Sequence, residues 1–117
     1  PHIMTELKIK QKCEDMIKYG LQSLNQYPRS EKYGMGAVTK AAMYELLKLI
    51  ISCNHKYYKK TTLQDMDVQL DILRTFIRLA AELGYLPFKK YEVWSAKVDE
   101  LGRMIGGWRK TVVLQQK

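Results

Sequence analysis

The residues that could do chemistry in this chain are cations and tyrosines. Lys56, Tyr57, Tyr58, Lys59 and Lys60 form one run, Lys8, Lys10 and Lys12 alternate near the start, and Arg109 and Lys110 sit near the end. Lysine ammonium groups among exposed aromatic rings suit a phosphate backbone with stacked bases. Arg74 and Arg78 lie on the polar face of the third helix near Asp67, Asp71 and Glu82, the five following one another at three- and four-residue spacings, and surface ion pairing accounts for them at about 0.5 kcal/mol or less each. His55 has no second histidine or carboxylate at ligand spacing on its face, so no metal site is expected. A nucleophile with its base and orienter, a glycine loop for phosphates and a paired acid site are all missing from the pattern. The expectation is a non-enzymatic protein with no catalytic residue and no cofactor.

Charge and length narrow this further. The net charge of +8 favours a polyanionic partner and says little about fold. The 117 residues suit a single domain that buries roughly two thirds of its unfolded surface. Residues 1–3, ahead of Met4, read as vector residue. No apolar run reaches the ~18 residues that a membrane span needs, and a cytoplasmic location is expected. Cys13 and Cys53 are too few for a disulfide framework and read as core fillers in a reducing compartment.

Four helices must position these groups. The first is expected from Thr5 to Tyr27, with Cys13, Met16, Ile17, Gly20, Leu21, Leu24 and Tyr27 on one stripe and Pro28 ending it. Ser30 is expected to cap a second helix that takes Glu31 in its first turn and runs to Tyr58. Thr62, with Asp65 three residues on, is expected to cap a third, which carries Met66, Leu70, Leu73, Ile77 and Ala80 to a stop at Gly84. Leu86 and Pro87 open a fourth, whose Tyr91, Trp94, Val98, Leu101, Ile105 and Trp108 recur at three- and four-residue steps. Two indoles on that seam ask for a deep groove and, where enclosed, an N–H partner. Gly106 and Gly107 imply close packing or a helix end.

Short connections between long helices predict an all-α, antiparallel up-down-up-down four-helix bundle. That topology gathers Lys8, Lys10, Lys12, Lys56, Lys59, Lys60, Arg109 and Lys110 at one end. The second helix carries two apolar stripes, Ala42, Leu46, Leu49 and Cys53 on one side and Tyr44, Leu47, Ile51 and Tyr58 on another. The third broadens through Ile72, Phe76, Leu79 and Leu83. One small core has no room for all of these, so Tyr44, Leu47, Ile51 and Tyr58 are expected between subunits of an obligate homo-oligomer.

Three segments resemble known proteins. YPRSEKYGMG at 27–36 looks like an inter-helix element of the small four-helix bundle proteins encoded in intervening sequences of bacterial 23S ribosomal RNA. LRTFIRLA at 73–80 and LGRMIGGWRK at 101–110 resemble one branch of that superfamily, the accessory variability determinant of diversity-generating retroelements. The RRAAVSIPANIAEG pattern of the ribosomal branch is absent from 37–53. The resemblance implies a basic homopentameric barrel that binds the retroelement reverse transcriptase and RNA or DNA in a bacterial or phage-infected cell. It supports mutagenic cDNA synthesis without catalysis of its own. By motif match, Arg74, Arg78, Arg103, Arg109 and Lys110 become candidate contacts with nucleic acid or polymerase, beside Lys56, Lys59 and Lys60. The contrasting expectation is an intervening-sequence type bundle acting as a self-assembling interaction module, whose charge serves solubility.

Overall fold

A computed structural model describes residues 2–115, with side chains from Thr5 to Gln115. The reading of residues 1–3 as vector residue concerns Pro1 and side chains that lie outside the described residues. The described chain is helical: α1 (His2–Leu24), a 3-10 turn (Arg29–Glu31), α2 (Met35–His55), α3 (Lys60–Glu82) and α4 (Phe88–Gln115). It contains no strand among the described residues. Each helix packs against two others, α1 and α3 both touching α2 and α4, so the four enclose one core. None of the described helices is long and apolar enough to cross a membrane.

The seams of α3 and α4 follow directly from their apolar spacing. Met66, Leu70, Leu73, Ile77 and Ala80 are all buried, as are Trp94, Val98, Leu101, Ile105 and Trp108, with Val112 extending the line. Burying each larger side chain contributes about 1.5–3 kcal/mol relative to exposure. Tyr91 stays partly buried against this core. On α1, Ile9, Cys13, Met16 and Ile17 face inward, while Leu21 and Leu24 are only partly covered. Gly20 allows a close crossing, since a Cβ there would stand 2.5 Å from Met43 Sδ and 2.9 Å from Trp94 Cζ2. A side chain at this position would force Met43 or the Trp94 indole to shift.

The core stripe of α2 differs from the expected one. Thr39, Met43, Leu46, Ile50 and Cys53 form its centre with Ala42, and Leu49 is displaced to the rim. The polar Thr39 hides the true seam in the sequence, yet its hydroxyl donates to Met35 O at 2.8 Å and sits in the core satisfied. The outer residues Tyr44 and Ile51 are exposed and Leu47 is half-buried, so the second apolar stripe exists on α2 itself. Tyr58 does not belong to it, because α2 ends at His55 where Lys56 turns to an extended conformation.

Helix ends also depart from expectation. α1 stops at Leu24, after which the N–H groups of Asn25, Gln26 and Tyr27 bond three residues back in a tightening turn. Ser30 caps nothing, being exposed within the 3-10 turn. Glu31 does the capping instead: its Oε1 accepts from Met35 N at 3.1 Å, and its Oε2 accepts from the Tyr85 hydroxyl at 3.2 Å. That bond, first among the causes, raises the Tyr85 pKa. Thr62 is buried inside α3, which begins two residues earlier at Lys60 without a side-chain cap. α3 closes as foreseen, with Gly84 at φ 80° and Tyr85 N bonded to Ala80 O at 2.9 Å, Gly84 N to Ala81 O at 3.1 Å.

Two expectations about α4 fail. Gly106 and Gly107 neither pack closely nor end the helix: a Cβ at either would find nothing within 4 Å, and α4 continues to Gln115. Trp94 is fully enclosed, but its Nε1 has no hydrogen-bond partner among the described residues. The indole is held by packing against Gly20 rather than by a polar anchor. Both cysteines are free and buried. Burial first, then Glu14, pushes the Cys13 thiol up to about 12. Burial raises Cys53 to about 11 with help from Glu6, while Lys59 and Lys56 pull the other way. Both thiols therefore stay protonated at neutral pH and pack as small apolar groups.

Candidate nucleic-acid interface

The connection between α2 and α3 is residues 56–59, and two lysines tie it down from within. Lys59 Nζ donates to Cys53 O at 2.6 Å and also to Lys56 O, so its charge sits on the carbonyl end of α2, where the helix dipole favours a cation. Lys56 Nζ donates to the Thr62 hydroxyl at 3.1 Å, linking the end of α2 to the start of α3. Tyr57 and Tyr58, held between these clamps, project from the surface with their rings 4.7 Å apart and perpendicular. Lys60 opens α3 exposed.

The end of α4 reaches the same region. Arg109 donates to Leu63 O at 3.5 Å and pairs with Asp67, both on α3. On α1, Lys10 and Glu6 line a shallow groove with Leu7, Ile51, Asn54 and His55. Lys56, Lys59, Lys60, Arg109 and Lys110 are thus gathered at one end. Several are engaged: Lys10 pairs with Glu14 at 3.6 Å, Lys12 with Glu100 at 3.2 Å and Arg109 with Asp67. Lys8, Lys60 and Lys110 are exposed and carry no ion pair among the described residues. Arg103 is exposed too, and its spacing of seven from Lys110 sets both on one outward side of α4, beside the open Gly106 and Gly107.

Arg74 and Arg78 are not part of this gathering. They lie 14 and 18 positions after Lys60 on α3, about 21 Å and 27 Å away along the axis. Arg74 Nε bonds Asp99 Oδ1 at 3.1 Å across to α4 rather than to Asp71, and its guanidinium lies over Gly102, which has no side chain to obstruct it. Arg78 faces Glu82 at 4.0 Å one turn on. The motif glycine Gly102 and the motif arginine Arg74 are therefore one contact, which sequence spacing could not show. The roles of Glu31, Lys59 and Thr62 as local clamps were missed for the same reason, since each acts on a backbone or side-chain group from another element.

No group of three or more His, Cys, Asp or Glu side chains among the described residues is placed to hold a metal ion. The family model described as bAvd-like matches residues 7–112. The chain belongs to the bAvd-like family. The match spans α2 and α3 and most of α1 and α4, together with Arg74, Gly102 and the cations at 56–60 and 109–110. It agrees with the accessory variability determinant resemblance carried by 73–80 and 101–110, and the family is one of accessory proteins. No curated protein matches the chain.

Proposed function

We propose that this chain is a non-enzymatic accessory subunit of a retroelement reverse transcriptase, a basic homo-oligomer that binds the polymerase and RNA or DNA and supports mutagenic cDNA synthesis. The observation that carries the reading is the bAvd-like match across 7–112, on a chain of net charge +8. Its place of action is the cytoplasm of a bacterial or phage-infected cell. The fold is a single-domain, antiparallel up-down-up-down bundle. Residue pairs support that course: Gly20 meets Met43 and Trp94, Lys12 meets Glu100, Arg74 meets Asp99 and Arg109 meets Asp67. In the α1–α4 and α3–α4 pairs, rising numbers on one helix meet falling numbers on the other.

Assembly into a barrel, pentameric by family resemblance, has physical support in two unlike apolar strips. One follows the α1 side of α2 through Tyr44, Leu47 and Ile51 to Leu7 of α1. The other runs along α3 through Val68, Ile72, Leu79 and Leu83. Two different strips suit head-to-tail contacts, which close into rings, better than a two-fold contact of one patch with itself. Asn54 Oδ1 adds to the first strip, being shielded without a hydrogen-bond partner among the described residues. Tyr58 is released from the interface set.

Nucleic acid meets the end where Lys60, Lys110 and Lys8 are exposed, with Arg103 farther along α4. Lys56, Lys59 and Arg109 contribute field while holding the connection in place. Arg74 and Arg78, which stand apart from the basic end, serve the polymerase. A plain self-assembling module is the competing reading, favoured by the internal pairing of Arg74 and Arg109. The deciding experiment changes Lys60, Arg103 and Lys110 to Glu and measures oligomer mass, nucleic-acid affinity across salt, and copurification with the neighbouring reverse transcriptase. The expected outcome is an intact oligomer that no longer binds nucleic acid. The wild type should show a log–log salt slope of about 0.7–0.9 per phosphate neutralised. Wild-type protein that binds neither nucleic acid at low salt nor the polymerase overturns the accessory reading.

A further inference from the structure

We propose that the Tyr57–Tyr58 pair is a stacking platform for unpaired nucleobases, so that the basic end binds single-stranded RNA or DNA in preference to a duplex. This rests on the nucleic-acid reading above and adds a class of ligand to it. The two rings are 75% and 78% exposed, although tyrosine is among the side chains with most to gain from burial. Their own contact is edge to face, at 4.7 Å and 90°. A perpendicular pair leaves at least one whole face of each ring uncovered by the other. Those faces are what an unpaired base can stack on, whereas a duplex keeps its bases stacked on one another and offers the rings only sugar and phosphate.

The connection that carries the rings is fixed before any ligand arrives. Lys59 fastens it to the carbonyls of Cys53 and Lys56, and Lys56 fastens it to Thr62, so little ordering is left for binding. Lys60, two residues after Tyr58, is exposed and without an ion pair among the described residues, a cation for the phosphates flanking a stacked base. His55 and Lys110 extend the same polar, cationic surround. The rings would supply contact with bases and the lysines attraction for the backbone. These contributions separate experimentally, because only the first needs the bases to be free.

The test compares an unstructured single strand of about 16 nucleotides with a duplex of the same length, by fluorescence anisotropy at fixed ionic strength. Tyr57→Ala with Tyr58→Ala should bind the single strand about tenfold to a hundredfold more weakly while its duplex affinity and salt slope stay at wild-type values. Tyr57→Phe with Tyr58→Phe should retain wild-type single-strand affinity, since stacking needs the ring and not the hydroxyl. Circular dichroism of each variant checks that the helices persist. Equal losses on both probes, or an unchanged single-strand affinity in the alanine variant, overturn the platform. So does a variant that loses oligomer mass or polymerase copurification while keeping its single-strand margin. Wild-type protein that binds duplex by charge but shows no single-strand margin overturns this inference alone, whereas binding to neither probe overturns the accessory reading as well.

Discussion

Two tyrosine pairs stand at inter-helix connections of this protein, and they have opposite fates. Tyr27 and Tyr85 meet 6.0 Å apart where the α1–α2 and α3–α4 connections come together, Tyr27 being only 8% exposed. Tyr57 and Tyr58 stand exposed on the α2–α3 connection. The first pair joins residues far apart in sequence, so Tyr27 enters the core from one connection and Tyr85 packs half-buried against it from the other. The second joins neighbours on a link of residues 56–59 between two helix ends, and both rings stay exposed. The polar groups differ in the same way. A carboxylate, Glu31, ties Tyr85 to the start of α2, while beside the exposed pair Lys59 bonds the carbonyl of Cys53 and Lys56 bonds the Thr62 hydroxyl. One end uses tyrosine to hold the fold; the other keeps it available.

The largest effect expected from this contrast is on stability. Tyr27→Ala should cost about 3 kcal/mol, in the range for truncating a buried aromatic side chain. Removing both rings of the exposed pair should cost within about 0.5 kcal/mol. Urea unfolding followed by circular dichroism measures both, and comparable losses would show that the exposed pair also holds the fold. Glu31→Ala comes next. It leaves Met35 N without its cap and the Tyr85 hydroxyl without its acceptor, and about 1–2 kcal/mol should be lost. Ser30→Ala, at the position that local spacing favours for the cap, should change stability by less than about 0.5 kcal/mol.

That last pair of variants shows where the sequence was legible. Met66, Leu70, Leu73, Ile77 and Ala80 could be read as the α3 seam because nothing polar interrupts them, and the same holds from Trp94 to Trp108 on α4. On α2 a threonine stands in the seam and is satisfied by its own backbone, so apolar spacing alone pointed to Leu49 where Ile50 and Met43 are buried. Caps were read as local events, whereas Glu31 acts from a separate 3-10 turn and is shared with Tyr85. The basic end could be placed by topology, since helix order fixes which termini are neighbours. Its division into clamps and accessible cations could not, because the partners of Lys56, Lys59 and Arg109 are Thr62, Cys53 O and Asp67, each on another helix.

The smallest and sharpest test lies within the buried pair. Tyr27 keeps its hydroxyl shielded with no hydrogen-bond partner among the described residues, and burial pushes its pKa up to about 12 from 10.0. An unpartnered buried hydroxyl opposes folding, so Tyr27→Phe should be neutral or stabilise by up to about 1 kcal/mol at neutral pH. The pH dependence gives the same group a second readout. Above pH 10.0 the unfolded chain releases this proton while the folded chain retains it until about 12, so the folded state binds more protons and stability falls as pH rises through that window. The contribution is fully present below 10.0. The phenylalanine variant has no proton to lose at this position, and its stability should decline less steeply than that of the wild type between pH 10 and 12. Parallel declines in the two proteins, measured by urea unfolding at stepped pH, would mean that the Tyr27 hydroxyl reaches solvent, and the contrast between the two pairs would then rest on the rings alone.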